Sequence, residues 1–226
     1  MDYGVVEQGS FIKRLNRFSA LVQVRGAEAL CHVKNTGRLG ELLLPGAAVY
    51  LKYSDAPGRK TCWDLISVEY QGQIVNIDSQ APNRVFGQWV ESGGFRRDVR
   101  AVRPEFTYGD SRFDFRLECD ACVQFVEVKG VTLLQDGDAW FPDAPTERGA
   151  KHLLGLARAV EAGYEAAAVF VIQRKGARCL RPNDQRDPAF GRALRRAAEV
   201  GVGVFAYDCR VTEATLMIDA PVPVQL

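Results

Sequence analysis

The chain has 226 residues, with 29 Lys and Arg against 28 Asp and Glu and with 47% apolar residues. That is the balance of an ordinary globule, and it excludes disordered, collagen-like and membrane classes. The longest apolar run, Ala166 to Ile172, has seven residues where a spanning helix needs about 20, and no signal-peptide pattern opens the chain; a cytoplasmic protein with no membrane partner is expected, of one large or two small domains.

The first 80 residues read as short strands: FSALVQV, EALCHV, AAVYLKY, WDLISVEY and QIVNID. Each is rich in β-branched or aromatic residues and bounded by turn formers. Five short strands with no long helix predict a small OB-like barrel over residues 1–82. Residues 11–38 hold six Lys and Arg against Glu28 alone. Within them Arg14, Arg17, Lys34 and Arg38 surround the loop Asn35-Thr36-Gly37, whose glycine lets backbone approach a phosphate. These residues, with Asn35 and Thr36, are the expected nucleic-acid contacts. Phe18 fits a base-stacking role, although a core position is the commoner one for phenylalanine.

A short helix is expected from Asn83 to Ser92, ended by Gly93-Gly94, and residues 83–226 then read as a mixed α/β domain. Three strands follow (VRPEFTY, SRFDFRL, VQFVEVKGVTL), then a helix from Thr146 to Ala162 with Thr146 as cap and Gly163 as stop. Ala166 to Ile172 has the composition of a strand buried on both faces. Pro188 to Val200 reads as a basic helix, and VGVFAYD as a final strand. Six cysteines in a reducing compartment read as free thiols. Cys119-Asp-Ala-Cys122 has ligand spacing, but no second pair completes a zinc site.

Residues 104–147 carry ten Asp and Glu against three Lys and Arg, while 174–196 carry eight Lys and Arg against two Asp. A basic exterior around an acidic centre suits a polyanion held over a cation; a salt-bridged surface gives the same count. The hairpin turn at Gly109-Asp110 pairs residues whose numbers sum to 219, which sets Glu105 opposite Asp114. The next turn, centred on Asp120-Ala121, gives 241 and sets Asp114 opposite Glu127. Three carboxylates then line up across three strands, with Phe113, Phe115, Leu117, Val126 and Val128 on the other face. Opposed like charges destabilise a sheet unless something lies between them, and an all-oxygen set suits Mg²⁺ or Mn²⁺. Lys129 projects on the same face as Glu127, where an ammonium can orient water or stabilise phosphate charge. A solvated polar face is the plainer account of the same spacing. On the helix, Glu147 with Lys151 and Arg148 with His152 are four apart; they form a surface pair network or bring Arg148 and Lys151 to a phosphate. His152 alone is too weak a signal for a general base.

Asp114 followed by Glu127-Val128-Lys129 on hairpin strands resembles the PD-(D/E)XK nuclease superfamily, with Phe113 where its proline stands. The whole chain resembles the sugar fermentation stimulation protein A family, through NRF at 16–18, HVKNTGRLGELLLPG at 32–46, APNR at 81–84, SRFDF, VEVKGVTL and FPDAPTERGAKHL at 141–153. The resemblance implies an OB domain, a restriction-endonuclease-like α/β domain and DNA binding, often of a regulatory kind. By motif position it makes Asp114 and Glu127 metal ligands and Lys129 the catalytic lysine, with Glu105 as third or outer carboxylate. The expectation is a DNA-binding protein without strong sequence specificity that hydrolyses phosphodiesters with Mg²⁺ or Mn²⁺. The alternatives are a DNA-binding regulator of sugar metabolism without catalysis, and a redox module at Cys119 and Cys122. Oligomerisation is compatible with either binding reading.

Overall fold

The computed structural model describes all 226 residues, which group into two units. The first comprises Met1–Ala81 together with Gln173–Lys175 and Cys209–Met217. Its strands are β1 (Val6–Arg14), β2 (Ser19–Val24), β3 (Ala27–Val33), β4 (Ala48–Tyr53), β5 (Trp63–Tyr70) and β6 (Gln73–Asn76). The order β3-β2-β1-β4-β5 is closed by a parallel β3–β5 pairing, with Cys31 against Trp63 and Val33 against Leu65. Five strands therefore make the barrel, as expected, but not the same five. The ring includes β1, which sequence periodicity passed over, and β6 is an added strand beside β5. Gly9 lets β1 cross closely, since a Cβ there would stand 2.7 Å from the Gln23 carbonyl. Phe11, Val22, Leu51, Leu65 and Val68 fill the interior.

Two late segments complete this unit. Asn76 is fully buried; its N–H donates to the Gln173 carbonyl at 3.0 Å, and Gln173 Nε2 donates to Asn76 Oδ1 at 2.8 Å and the Asp78 carbonyl at 3.0 Å. Tyr3 N–H donates to the Ala214 carbonyl at 2.8 Å. Buried polar groups need such partners, so residues far apart in the chain finish the barrel's polar end.

The second unit comprises Pro82–Ile172, Gly176–Asp208 and Ile218–Leu226. It holds β7 (Val99–Tyr108), β8 (Ser111–Cys119), β9 (Val123–Val131), β10 (Leu134–Gln135), β11 (Asp138–Phe141), α2 (Glu147–Glu161), β12 (Glu165–Ile172), β13 (Leu180–Pro182) and α3 (Pro188–Glu199), together with most of α1 (Ala81–Glu91), β14 (Gly203–Val211) and β15 (Leu216–Val222), whose remaining residues belong to the first unit. The main sheet has the order β15-β14-β12-β9-β8-β7, and β12 runs parallel to both β9 and β14. Parallel neighbours require crossovers, which α2 and α3 supply. Every residue of β12 after Glu165 is buried, as its uniformly apolar composition predicts. Thr146 caps α2 by accepting from Gly149 N–H at 3.1 Å, and Gly163 follows at φ +88°. Asp187 caps α3 through Phe190 N–H and also accepts from Thr146 N–H at 2.8 Å, tying the two helix starts together. Its partners were invisible in the sequence, as were β15 and the small sheet β10-β11-β13.

Alternation along β8 breaks where the sequence expected it to hold. Phe115 packs on Phe86 and Gly87 of α1, whereas Phe113 packs on Phe125, His152 and Gly155 beneath α2. The pairs Pro104 with Phe115 and Phe106 with Phe113 both sum to 219, as predicted, but Glu105 between them has φ +53°. That left-handed residue kinks β7 beside Asp114.

Candidate active site and nucleic-acid face

Asp114 lies mid-β8, and its carboxylate is received by backbone and helix together. Oδ2 accepts from Val128 N–H at 2.8 Å, and Oδ1 accepts from Asn83 Nδ2 of α1 at 2.7 Å. Glu127 on β9 is 2% exposed. Its Oε1 takes the Lys129 ammonium and His152 Nδ1, each at 2.5 Å, while Oε2 is buried with no partner. Arg148 Nε lies 3.4 Å from His152 Nε2, consistent with a ring that donates from Nδ1 to Glu127.

The two carboxyls are driven in opposite directions, the pattern of groups with different tasks. Burial and the neighbouring Glu127 charge push Asp114 above its ordinary value, against the pull of Val128 N–H, Lys129 and Asn83. Burial also pushes Glu127 up, but its His152 hydrogen bond and the Lys129 charge outweigh this and hold it low. An unpaired buried carboxylate oxygen costs about 1–3 kcal/mol, and a hard cation is a natural occupant for it. Asp114 and Glu127 fit that role, with the remaining positions left to water or phosphate, as Mg²⁺ prefers.

Glu105 does not join them. Its left-handed backbone turns the side chain outward, where it is 70% exposed and 3.7 Å from Arg112. No group of three or more His, Cys, Asp or Glu forms a metal cluster, so the predicted row of three carboxylates is a pair. Lys151 is also displaced from its predicted partner: it lies 3.4 Å from Asp110, which Arg158 also binds at 2.6 Å, and not on Glu147. Glu147 is exposed in the first turn of α2. Asn83 is the residue the sequence reading left out of the site, and His152, named there as the partner of Arg148 and too weak a signal for a general base, turns out to hold Glu127 as well. His152 extends the buried stripe of α2 by one position toward the sheet, and Gly155 lets the helix approach, since a Cβ there would stand 2.6 Å from Ser111 Oγ. A histidine next to an apolar stripe was the only signal.

On the barrel, Arg14 proves to be a loop organiser. Its five N–H groups donate to the carbonyls of Asn16, Arg17, Asn35, Gly37 and Arg38, which leaves no donor for a phosphate. Asn35 is similarly occupied, with Nδ2 on the Ile77 carbonyl at 3.0 Å and Oδ1 on Gly37 N–H at 2.8 Å. Lys34 is half-buried on Asp64 at 3.0 Å. Arg17, Thr36 and Arg38 are exposed around this fixed loop, and so is Phe18. The CxxC offers no reactive thiolate: burial pushes Cys119 up to about 12 and also raises Cys122. All six cysteines are free. No helix is long and apolar enough to cross a membrane.

A closed five-stranded barrel followed by a sheet bearing Asp, Glu and Lys on neighbouring strands defines a protein that joins an OB domain to a restriction-endonuclease-like α/β domain. Residues 12–77 match the SfsA N-terminal OB domain, and residues 80–215 match the sugar fermentation stimulation protein RE domain. A sugar fermentation stimulation protein homolog of Desulfitobacterium hafniense is 50% identical over 216 residues, 96% of this chain and 94% of that one. One from Ruminiclostridium cellulolyticum is 45% identical over the full length of both. The solved structure of Pyrococcus furiosus SfsA in complex with Ca²⁺ covers 100% of this chain and 98% of its own, at 27% identity and TM-score 0.91. The chain belongs to the sugar fermentation stimulation protein (SfsA) family.

Proposed function

We propose that this protein binds DNA without strong sequence preference and hydrolyses phosphodiester bonds at Asp114, Glu127 and Lys129, with Mg²⁺ or Mn²⁺ as cofactor. The observation that carries the reading is the partnerless, buried Oε2 of Glu127, whose carboxylate charge acts on Asp114, a pair of acids that a hard cation would stabilise. That a relative is described in complex with Ca²⁺ supports it, since Ca²⁺ and Mg²⁺ both take oxygen ligands. A bound divalent ion would polarise a phosphate and acidify water. His152 keeps Glu127 ionised and aimed, Asn83 and Val128 N–H keep Asp114 in place, and Lys129 offers its ammonium to the charge that develops on the phosphate. Arg148, exposed beside His152, adds positive charge to the rim. Arg17, Thr36 and Arg38 hold the polyanion by its backbone, which gives affinity without sequence information.

Purified protein supplied with Mg²⁺ or Mn²⁺ is expected to cut at least one of single-stranded, duplex or branched DNA. EDTA and Asp114→Ala should each abolish the cut; three intact substrates in both metals would sink the reading. A second reading, DNA binding in sugar-gene regulation without turnover, draws on Glu105 standing outside the site. It predicts the same steep loss of affinity with salt and no metal-dependent cleavage.

A further inference from the structure

Phe18 is 58% exposed, yet its backbone is fixed. Phe18 N–H donates to Asn16 Oδ1 at 2.8 Å, its carbonyl accepts from Val33 N–H at 2.8 Å, and the Arg14 guanidinium grips the carbonyls of Asn16 and Arg17 just before it. A large ring held in water by so rigid a mount contributes nothing to the barrel core. On one side it borders a cavity of about 490 Å³ with Leu30, His32, Arg59, Lys60 and Thr61. On the other it borders a cavity of about 180 Å³ that reaches Lys34, Thr36 and Gln80. Phe18 and His32 belong to both. No carboxylate lines either one; the nearby Asp64 is 3% exposed and already engaged by Lys34 and Arg59. The surroundings combine flat apolar faces, cations at both ends and side-chain amide or hydroxyl groups, with nothing that repels an anion. The larger cavity falls in the usual size range of small-molecule sites.

We infer that this double cavity seats unpaired bases of a single-stranded nucleic acid, one base stacked on Phe18, with Lys60 at one end and the exposed Arg17 and Thr36 at the other on the flanking phosphates. The inference deepens the proposed function by naming the strand form the barrel takes, and it rests on that reading of the barrel as a polyanion binder. In a duplex the base faces are hidden in the stack, so the Phe18 ring has nothing to meet. A single strand offers every base face in turn, and stacking is indifferent to sequence.

Fluorescence anisotropy in EDTA, which separates binding from cleavage, tests this with a labelled 12-mer as single-stranded DNA, single-stranded RNA and duplex. The wild type should bind at least one single-stranded form more tightly than the duplex. Phe18→Ala should weaken that binding by roughly fivefold or more, Phe18→Tyr should retain it, and duplex affinity should not change. Circular dichroism confirms that the variants fold. Equal affinity for single strand and duplex, or Phe18→Ala with no selective loss, overturns the inference while leaving DNA binding and metal-dependent cleavage standing. No salt-sensitive binding of any strand form overturns both.

Discussion

His152 acts through Glu127, and its weight can be measured on that residue. His152→Ala removes one of two donors from the Glu127 carboxylate, which water does not reach, so the unfolding free energy in urea should fall by about 1–3 kcal/mol. Mn²⁺ affinity should weaken by about tenfold or more, because a ligand that has lost its orienting partner binds metal less well; unchanged affinity would show that Lys129 alone positions Glu127. Glu105 makes the opposite case. Its side chain touches only Arg112 in solvent, and its backbone is left-handed. Glu105→Gly should leave any cleavage intact and stabilise the fold by about 1 kcal/mol in thermal denaturation, by relieving the Cβ strain of that conformation. Loss of activity would restore Glu105 to the site.

Among the elements, the barrel's charged cluster sets a pH dependence. Burial raises Asp64, but hydrogen bonds and charge from Arg59 and Lys34 outweigh it and hold the carboxyl below its ordinary 3.8. A carboxyl depressed on folding adds stability above its unfolded pKa and loses it as pH falls through the folded one. Acid unfolding should therefore have a limb below about pH 4 that Asp64→Asn removes, at a cost of about 3 kcal/mol at neutral pH for the cations left behind. Identical acid limbs in the two proteins would refute this. The register of the hairpins was readable from residue numbers, because turn position and period-2 alternation fix it: Phe115 with Val126, like Phe106 with Phe113, obeys the predicted sums. The hand of the Glu105 backbone was not readable, since no residue type there demands it. β1 escaped notice because Glu7, Gln8, Gly9 and Ser10 dilute its apolar pattern, and Arg14 looked like a phosphate ligand because its true partners are carbonyls, which residue identity does not reveal. Cap residues such as Thr146 announced α2 correctly because their chemistry is local.

At the scale of the whole molecule, the first unit depends on Gln173–Lys175 and Cys209–Met217. Gln173→Ala deletes the side-chain donor to Asn76 Oδ1 and to the Asp78 carbonyl, both deeply buried. Hydrogen exchange should show the β5–β6 amides opening more readily, by about 1–3 kcal/mol; protection equal to wild type would mean these bonds are dispensable. The second unit likewise needs Ile218–Leu226, whose β15 covers β14. Both units are thus finished by segments that follow Asp208 in the chain. A nascent chain that stalls on the ribosome after β14 and before β15 carries two unfinished folds, with the bare edge of β14 open to pairing with other chains; premature termination there should yield aggregates and not a salvageable half-protein.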